Sequence, residues 1–125
     1  MALILDAGAL IAVERGDREL AALLKVERRA GRAPITHGGV VGQVWRDGAC
    51  QAVLARLLDA LEIVALDATL GRRAGRLLAV CGGDDVIDAA VVLLADDGDV
   101  ILTSDADDLR RLAAASGTHV ELASV

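Results

Sequence analysis

Apolar residues in this chain fall into two kinds of run. Short, mostly apolar blocks at ALIL (2–5), APIT (33–36), IVAL (63–66), DVILTS (99–104) and HVELA (119–123) have the length of strands. Between them, apolar residues recur at helical spacing in AGALIAVER (7–15), RELAALLKVERRA (18–30), GGVVGQVWRDG (38–48), AVLARLLDAL (52–61), ATLGRRAGRLLAV (68–80), DDVIDAAVVLLAD (84–96) and DADDLRRLAAAS (105–116). The punctuation agrees with these limits. Gly16 stops the first helix, and Asp17 is placed to cap the second, whose apolar side carries Leu20, Leu23, Leu24 and Val26. Gly31 ends that helix, and the pair Gly82–Gly83 closes the helix over 68–80. Pro34 falls near the start of a strand, where a missing N–H is tolerated. The glycines of 38–48 weaken that helix.

Strands that read as apolar blocks, and that alternate with helices, belong to parallel sheets covered on both faces. The pattern therefore predicts an α/β fold: a mainly parallel central sheet of four to five strands flanked by helices on both faces. With 125 residues and no linker, low-complexity stretch or repeat, the chain is expected to form one domain over 1–125.

Composition adds four points. The apolar fraction, 54%, exceeds the usual globular range and implies a full core and a buried partner surface. The longest wholly apolar run, AAVVLLA (89–95), is far short of the ~20 residues of a spanning helix, so no membrane crossing is expected. MALILDAG has no basic leading region and meets an acid at its sixth residue, which argues against a signal peptide. Cys50 and Cys81 show neither paired nor metal-ligand spacing, so reduced thiols and a cytoplasmic location are expected; a zinc site from Cys50, Cys81, His37 and His119 is the alternative.

The net charge of −6 argues against nucleic-acid binding by bulk electrostatics, but not against a nuclease whose local field depends on bound cations. Twelve of the thirteen basic residues are Arg, clustered at 27–32, 71–76 and 109–112. Such clusters are ordinarily solvated helix faces, yet Arg is also the better fork for phosphate or carboxylate.

Acids concentrate in GGDDVIDAAVVLLADDGDVILTSDADDL (82–109), which contains no Lys, Arg or His. Asp96, Asp97 and Asp99 flank Gly98 and read as a turn with a solvated face. Asp84 or Asp85 can cap the helix that follows, and Asp105 the next one, each cap contributing about 1 kcal/mol. Asp6 has no equally obvious cap to make and ends a buried strand, where an unpaired carboxylate is costly. Parallel α/β sheets place ligands at the carboxyl ends of their strands. If the strands ending at Asp6 and Asp105 are neighbours, both acids emerge at one edge, with Asp85 and Asp88 on the first turns of the helix that starts there. Two carboxylates ~4 Å apart repel by about 4 kcal/mol at an effective dielectric of 20, more than capping offsets. A divalent cation is the missing partner, and oxygen-only donors select Mg²⁺ or Mn²⁺. Such a centre suits phosphodiester hydrolysis. The chain lacks the serine nucleophile elbow, the phosphate-binding Gly-Lys-Ser/Thr loop and the dinucleotide fingerprint.

Together, LILDAGALIA, DDVIDAAVVLLA and LTSDADDL resemble the PIN-domain ribonucleases, most closely the VapC-type toxins of toxin–antitoxin pairs, over essentially the whole chain. The resemblance implies a metal-dependent endoribonuclease with family acids at Asp6, Asp85 and Asp105 as catalytic and metal-binding residues, and a further polar contribution from Asp108. It also implies Mg²⁺ or Mn²⁺ as cofactor, tRNA or ribosomal RNA as substrate, a homodimer, and a VapB-like antitoxin that inserts a segment near the acids. Two positions depart from the pattern. Gln43 stands where the family carries its second acid, usually Glu, and Asp88 adds a carboxylate that can compensate. Ala7 and Gly8 replace the small polar residue that often follows the first acid. The rival expectation is a PIN-like module weakened in catalysis by Gln43, surviving as a protein-binding or RNA-binding unit. A receiver-like phosphoacceptor ranks lower, because the only lysine, Lys25, lies mid-helix. His37 is a candidate phosphate contact or proton relay, or an ordinary hydrogen-bonded histidine. Trp45 is a candidate base-stacking residue, or a core or interface residue.

Overall fold

In the computed structural model, which describes residues 1–125, the apolar blocks become five strands: β1 (Leu3–Leu5), β2 (Ile35–His37), β3 (Glu62–Val64), β4 (Val100–Thr103) and β5 (Glu121–Ser124). The helices are α1 (Ala7–Glu14), α2 (Arg18–Arg29), α3 (Gly38–Val44), α4 (Ala52–Asp59), α5 (Ala68–Cys81), α6 (Val86–Leu93) and α7 (Ala106–Ser116). The strands form one wholly parallel sheet in the order β3-β2-β1-β4-β5. This is the α/β architecture that the apolar blocks predict. No helix is long and apolar enough to cross a membrane.

The strand order fixes the layers. From β1 the chain steps to β2 and β3 on one side, then returns to β4 and β5 on the other. Right-handed crossovers in opposite directions put their helices on opposite faces. Accordingly α1 packs with α2, α3 and α4, whereas α5, α6 and α7 pack among themselves. The central strands are buried throughout: Leu3, Ile4 and Leu5 of β1 and Val100, Ile101, Leu102 and Thr103 of β4. Around them Leu10, Val40, Leu54, Ala89, Val91, Val92 and Leu109 complete one continuous core. On α2 the burial differs from the simple apolar stripe. Val26 is exposed, and Glu27 is buried instead, its carboxylate gripped by Arg32 at 2.8 Å.

The reversal between β1 and β4 has a functional consequence. At such a switch point the connections leave in opposite directions and open a crevice beyond the carboxyl ends of the two strands. Leu5 pairs with Leu102 in register, so Asp6 and the Thr103–Asp105 segment leave the sheet side by side.

Candidate active site at the carboxyl edge of the sheet

Asp6 is the most constrained acid of this edge. It is buried at 7% exposure and, contrary to the expectation from sequence, it does cap a helix. Its Oδ1 accepts the Ala9 N–H at 2.9 Å as the N-cap of α1. Its Oδ2 accepts a short hydrogen bond from the Thr103 hydroxyl. Burial raises the Asp6 pKa above the ordinary carboxylate value, against the opposing pull of hydrogen bonds from Thr103, Ala9, Gly8 and Ser104.

Nothing in the hydropathy pattern marks Thr103, and it joins the two strand ends. It is fully buried; its Oγ1 donates to Asp6 and accepts the Asp105 N–H at 2.9 Å. A second link comes from Gly8, where a Cβ would overlap the Ser104 side chain, so only glycine lets α1 approach the β4–α7 turn this closely. The Ser104 hydroxyl occupies the space that a side chain at position 8 would take. Neither link shows in hydropathy, because both depend on which strands are neighbours.

Asp85 and Asp88 play unequal parts. Asp85 is exposed and caps α6, its Oδ1 accepting the Asp88 N–H at 2.9 Å. Asp88, on the first turn, is half-buried, and its carboxyl is pushed up to about 6. Burial is the main cause, followed by the negative charges of Asp85 and Asp6, a hydrogen bond with Asp85, and the charge of Asp105. Asp88 is thus the carboxylate that senses Asp85, Asp6 and Asp105 together. Asp105 stands at the cap position of α7 but makes no side-chain cap, which leaves its carboxylate free to meet Asp108. The Asp108 pKa is raised by a hydrogen bond with Asp105 and by that residue's charge, while Arg111 opposes the rise.

The remaining candidates separate cleanly. Gln43 is exposed on α3 and its side chain makes no hydrogen bond. His37 is fully buried, so it is not a phosphate contact. Its Nδ1 accepts the Gly39 N–H at 3.0 Å, which leaves Nε2 to donate to the Ile87 carbonyl at 3.0 Å. Burial holds its pKa below the usual histidine value, consistent with this neutral form. It ties β2 and α3 to α6 one residue before Asp88. With both ring nitrogens engaged by backbone, His37 is not a zinc ligand either. Trp45 is 37% exposed, and its ring lies over Gly48. Lys25 lies on α2 beside Arg28 and Arg29, on the helix that leads into β2 from the opposite edge, so no lysine serves a receiver-like centre.

Neither protein-family models nor curated proteins give a match to this chain.

The donor set at this edge consists of carboxylate and hydroxyl oxygens, which suits a hard cation. The spacing is looser than a finished metal cage: no three His, Cys, Asp or Glu side chains are already grouped closely enough to hold an ion. Asp6 has committed one oxygen to the α1 cap and the other to Thr103, while Asp88, Asp105 and Asp108 have like-charged neighbours where a cation would relieve the repulsion.

Proposed function

We propose that this protein is a metal-dependent endoribonuclease whose centre is the acid group Asp6, Asp85, Asp88 and Asp105, with Asp108 beside it. The observation that carries the reading is the electrostatics of Asp88. A half-buried carboxylate raised to about 6 by burial first and then by the charges of Asp85, Asp6 and Asp105, where Asp6 and the Thr103–Asp105 segment leave adjacent parallel strands side by side, marks a place short of positive charge. Asp88 and Asp105, with Asp6 and Asp85 near them, are the residues that would hold Mg²⁺ or Mn²⁺. When bound, the cation supplies an acidified water and neutralises charge on the leaving oxygen of a phosphodiester. The chain's own residues hold that chemistry in place. Thr103 fixes the Asp6 carboxylate and the Asp105 backbone, His37 fixes the start of α6, and half-burial of Asp88 limits competing solvent.

RNA as substrate, tRNA or ribosomal RNA in particular, comes from the resemblance to VapC-type toxins, as do the homodimer, the VapB-like antitoxin and a cytoplasmic setting. The second reading, a PIN-like binding module weakened in catalysis, is favoured by two observations: the neutral, exposed Gln43 and the absence of a ready-made metal cage. Cleavage of a mixed tRNA pool in EDTA, Mg²⁺ or Mn²⁺ by wild type, Asp105→Asn and Gln43→Glu separates them. Discrete cuts that need metal and Asp105 support the nuclease. Cleavage that appears only in Gln43→Glu supports the weakened module.

A further inference from the structure

The arginine cluster at 109–112 divides in two. Arg110 points to solvent and pairs with Asp107 one turn away. Arg111 turns the other way, into a cavity of about 290 Å³ lined by Asp84, Asp85, Asp88 and Asp108, with Leu78 and Leu112 as its apolar wall. Asp6 and Asp105 do not line this cavity, so it lies beside the acid centre and shares Asp85, Asp88 and Asp108 with it.

Arg111 is the only cation among these lining residues, and yet it forms no ion pair with any of the four acids; the chain's two ion pairs are elsewhere. Its Nη2 donates to the Cys81 carbonyl at 3.2 Å, at the carboxyl end of α5. The next residue, Gly82, has φ +81, a backbone conformation that glycine adopts cheaply, and its N–H closes α5 onto Leu78 at 2.7 Å. The guanidinium is therefore held at the cavity wall by a backbone carbonyl through one nitrogen, with its other donors uncommitted.

A guanidinium parked on a carbonyl, near four carboxylates and bonded to none, is unspent electrostatic capacity. Among the charged residues lining the cavity, only Arg111 offers an anionic ligand a charge of opposite sign. The planar fork suits a phosphate, which it can take through two parallel N–H···O bonds. The cavity is near the small end of the range for pockets that take a small ligand, ~300 Å³. Its volume has room for one phosphate and part of its nucleotide.

We infer that Arg111 is a substrate-binding residue that grips an RNA phosphate one step away from the acid centre and admits the backbone past Asp108 and Asp88. This rests on the nuclease reading for its substrate, but the binding it describes is measurable without cleavage. The Arg111 grip acts on binding, so its loss raises KM and leaves kcat nearly unchanged.

The test is fluorescence anisotropy with a labelled single-stranded RNA hexamer in EDTA, over a range of salt, for wild type, Arg111→Ala, Arg111→Lys and Arg110→Ala. Arg111→Ala is expected to weaken binding roughly tenfold and to flatten the log–log salt slope by about 0.7, the loss of one phosphate contact on a single strand. Arg111→Lys keeps the slope and recovers only part of the affinity, because it keeps charge without the fork. Arg110→Ala, already neutralised by Asp107, matches wild type. If Arg111→Ala keeps both affinity and slope, or lowers only the melting temperature, Arg111 merely pins α7 to α5 and the inference is overturned. Absence of hexamer binding by wild type overturns it as well. Arg111-dependent binding without metal-dependent cleavage by wild type would keep the inference and remove the nuclease reading. Cleavage whose KM ignores Arg111 would do the reverse.

Discussion

Two groups of aspartates lie within 25 residues of one another in the chain and at opposite edges of the sheet, and they are handled in opposite ways. At the amino edge of β4, Asp99 is buried at 8% exposure and accepts the Ala2 N–H at 2.7 Å and the Asp96 N–H at 2.9 Å. Nearby Asp97 accepts the His119 N–H at 2.8 Å. Each of these two charges is met by a backbone donor, and together they fasten β1, β4 and the approach to β5. At the carboxyl edge, Asp88, Asp105 and Asp108 face other aspartates, which raises the Asp108 pKa and adds to the rise that burial causes at Asp88. One acidic stretch thus contains a structural lock and a charge-crowded site. Counting acids does not tell them apart; their partners do.

If that contrast is right, substitutions at the two edges fail in different assays. The largest effect is on activity. Asp105→Asn is expected to lower metal-dependent RNA cleavage by roughly ten- to a hundredfold, the scale of losing metal-site partners, while its urea midpoint stays near wild type because Asp105 makes no side-chain cap. Next comes the lock. Asp99→Ala strands two backbone N–H groups and is expected to cost roughly 2–4 kcal/mol in urea unfolding; a midpoint equal to wild type would undo the structural assignment. The third effect is stabilisation by metal. Mg²⁺ at about a hundred times its dissociation constant should add about 2.7 kcal/mol to wild type and clearly less to Asp88→Asn.

The smallest effect is a pH dependence. The folded pKa of Asp88, about 6, lies above its ordinary value of 3.8, so the folded state binds the extra proton between those limits. Stability from this residue is therefore highest below pH ~4, declines as pH rises through ~6, and stays low above. Asp88→Asn without metal should be the more stable protein at pH 7, with the gap closing toward pH 4. A gap that widens on acidification would contradict the crowding of Asp88.

Much of this was legible in the sequence, for definable reasons. The strands are uninterrupted apolar blocks because both faces of a parallel sheet are covered, and the helix limits follow Asp17, Gly31 and Gly82. Asp6 and Asp105 could be placed at strand ends from hydropathy alone. Strand order could not, so the Thr103 bridge and the approach of Gly8 to Ser104 were hidden. Partner identity was hidden for the same reason. The sequence places Asp99 in a solvated turn, yet its hydrogen-bond partner Ala2 is 97 residues away in the chain. Asp6 and Asp85 both cap helices, whereas Asp88, a secondary candidate in sequence, is the acid on which the other charges converge. His37 looked like an edge histidine and is a buried clamp, a distinction that depends on α6 crossing over β2.

The central claim is that the carboxyl edge is short of a cation. Calorimetric titration of Mn²⁺ into wild type and Asp88→Asn, at pH 7.5 and pH 5.5, tests it most directly. The account predicts saturable binding to wild type at pH 7.5, weakened at pH 5.5 as protons compete at Asp88, and strongly reduced in Asp88→Asn at both values. Binding that is absent from wild type, or that is unchanged by the substitution and by pH, would contradict it.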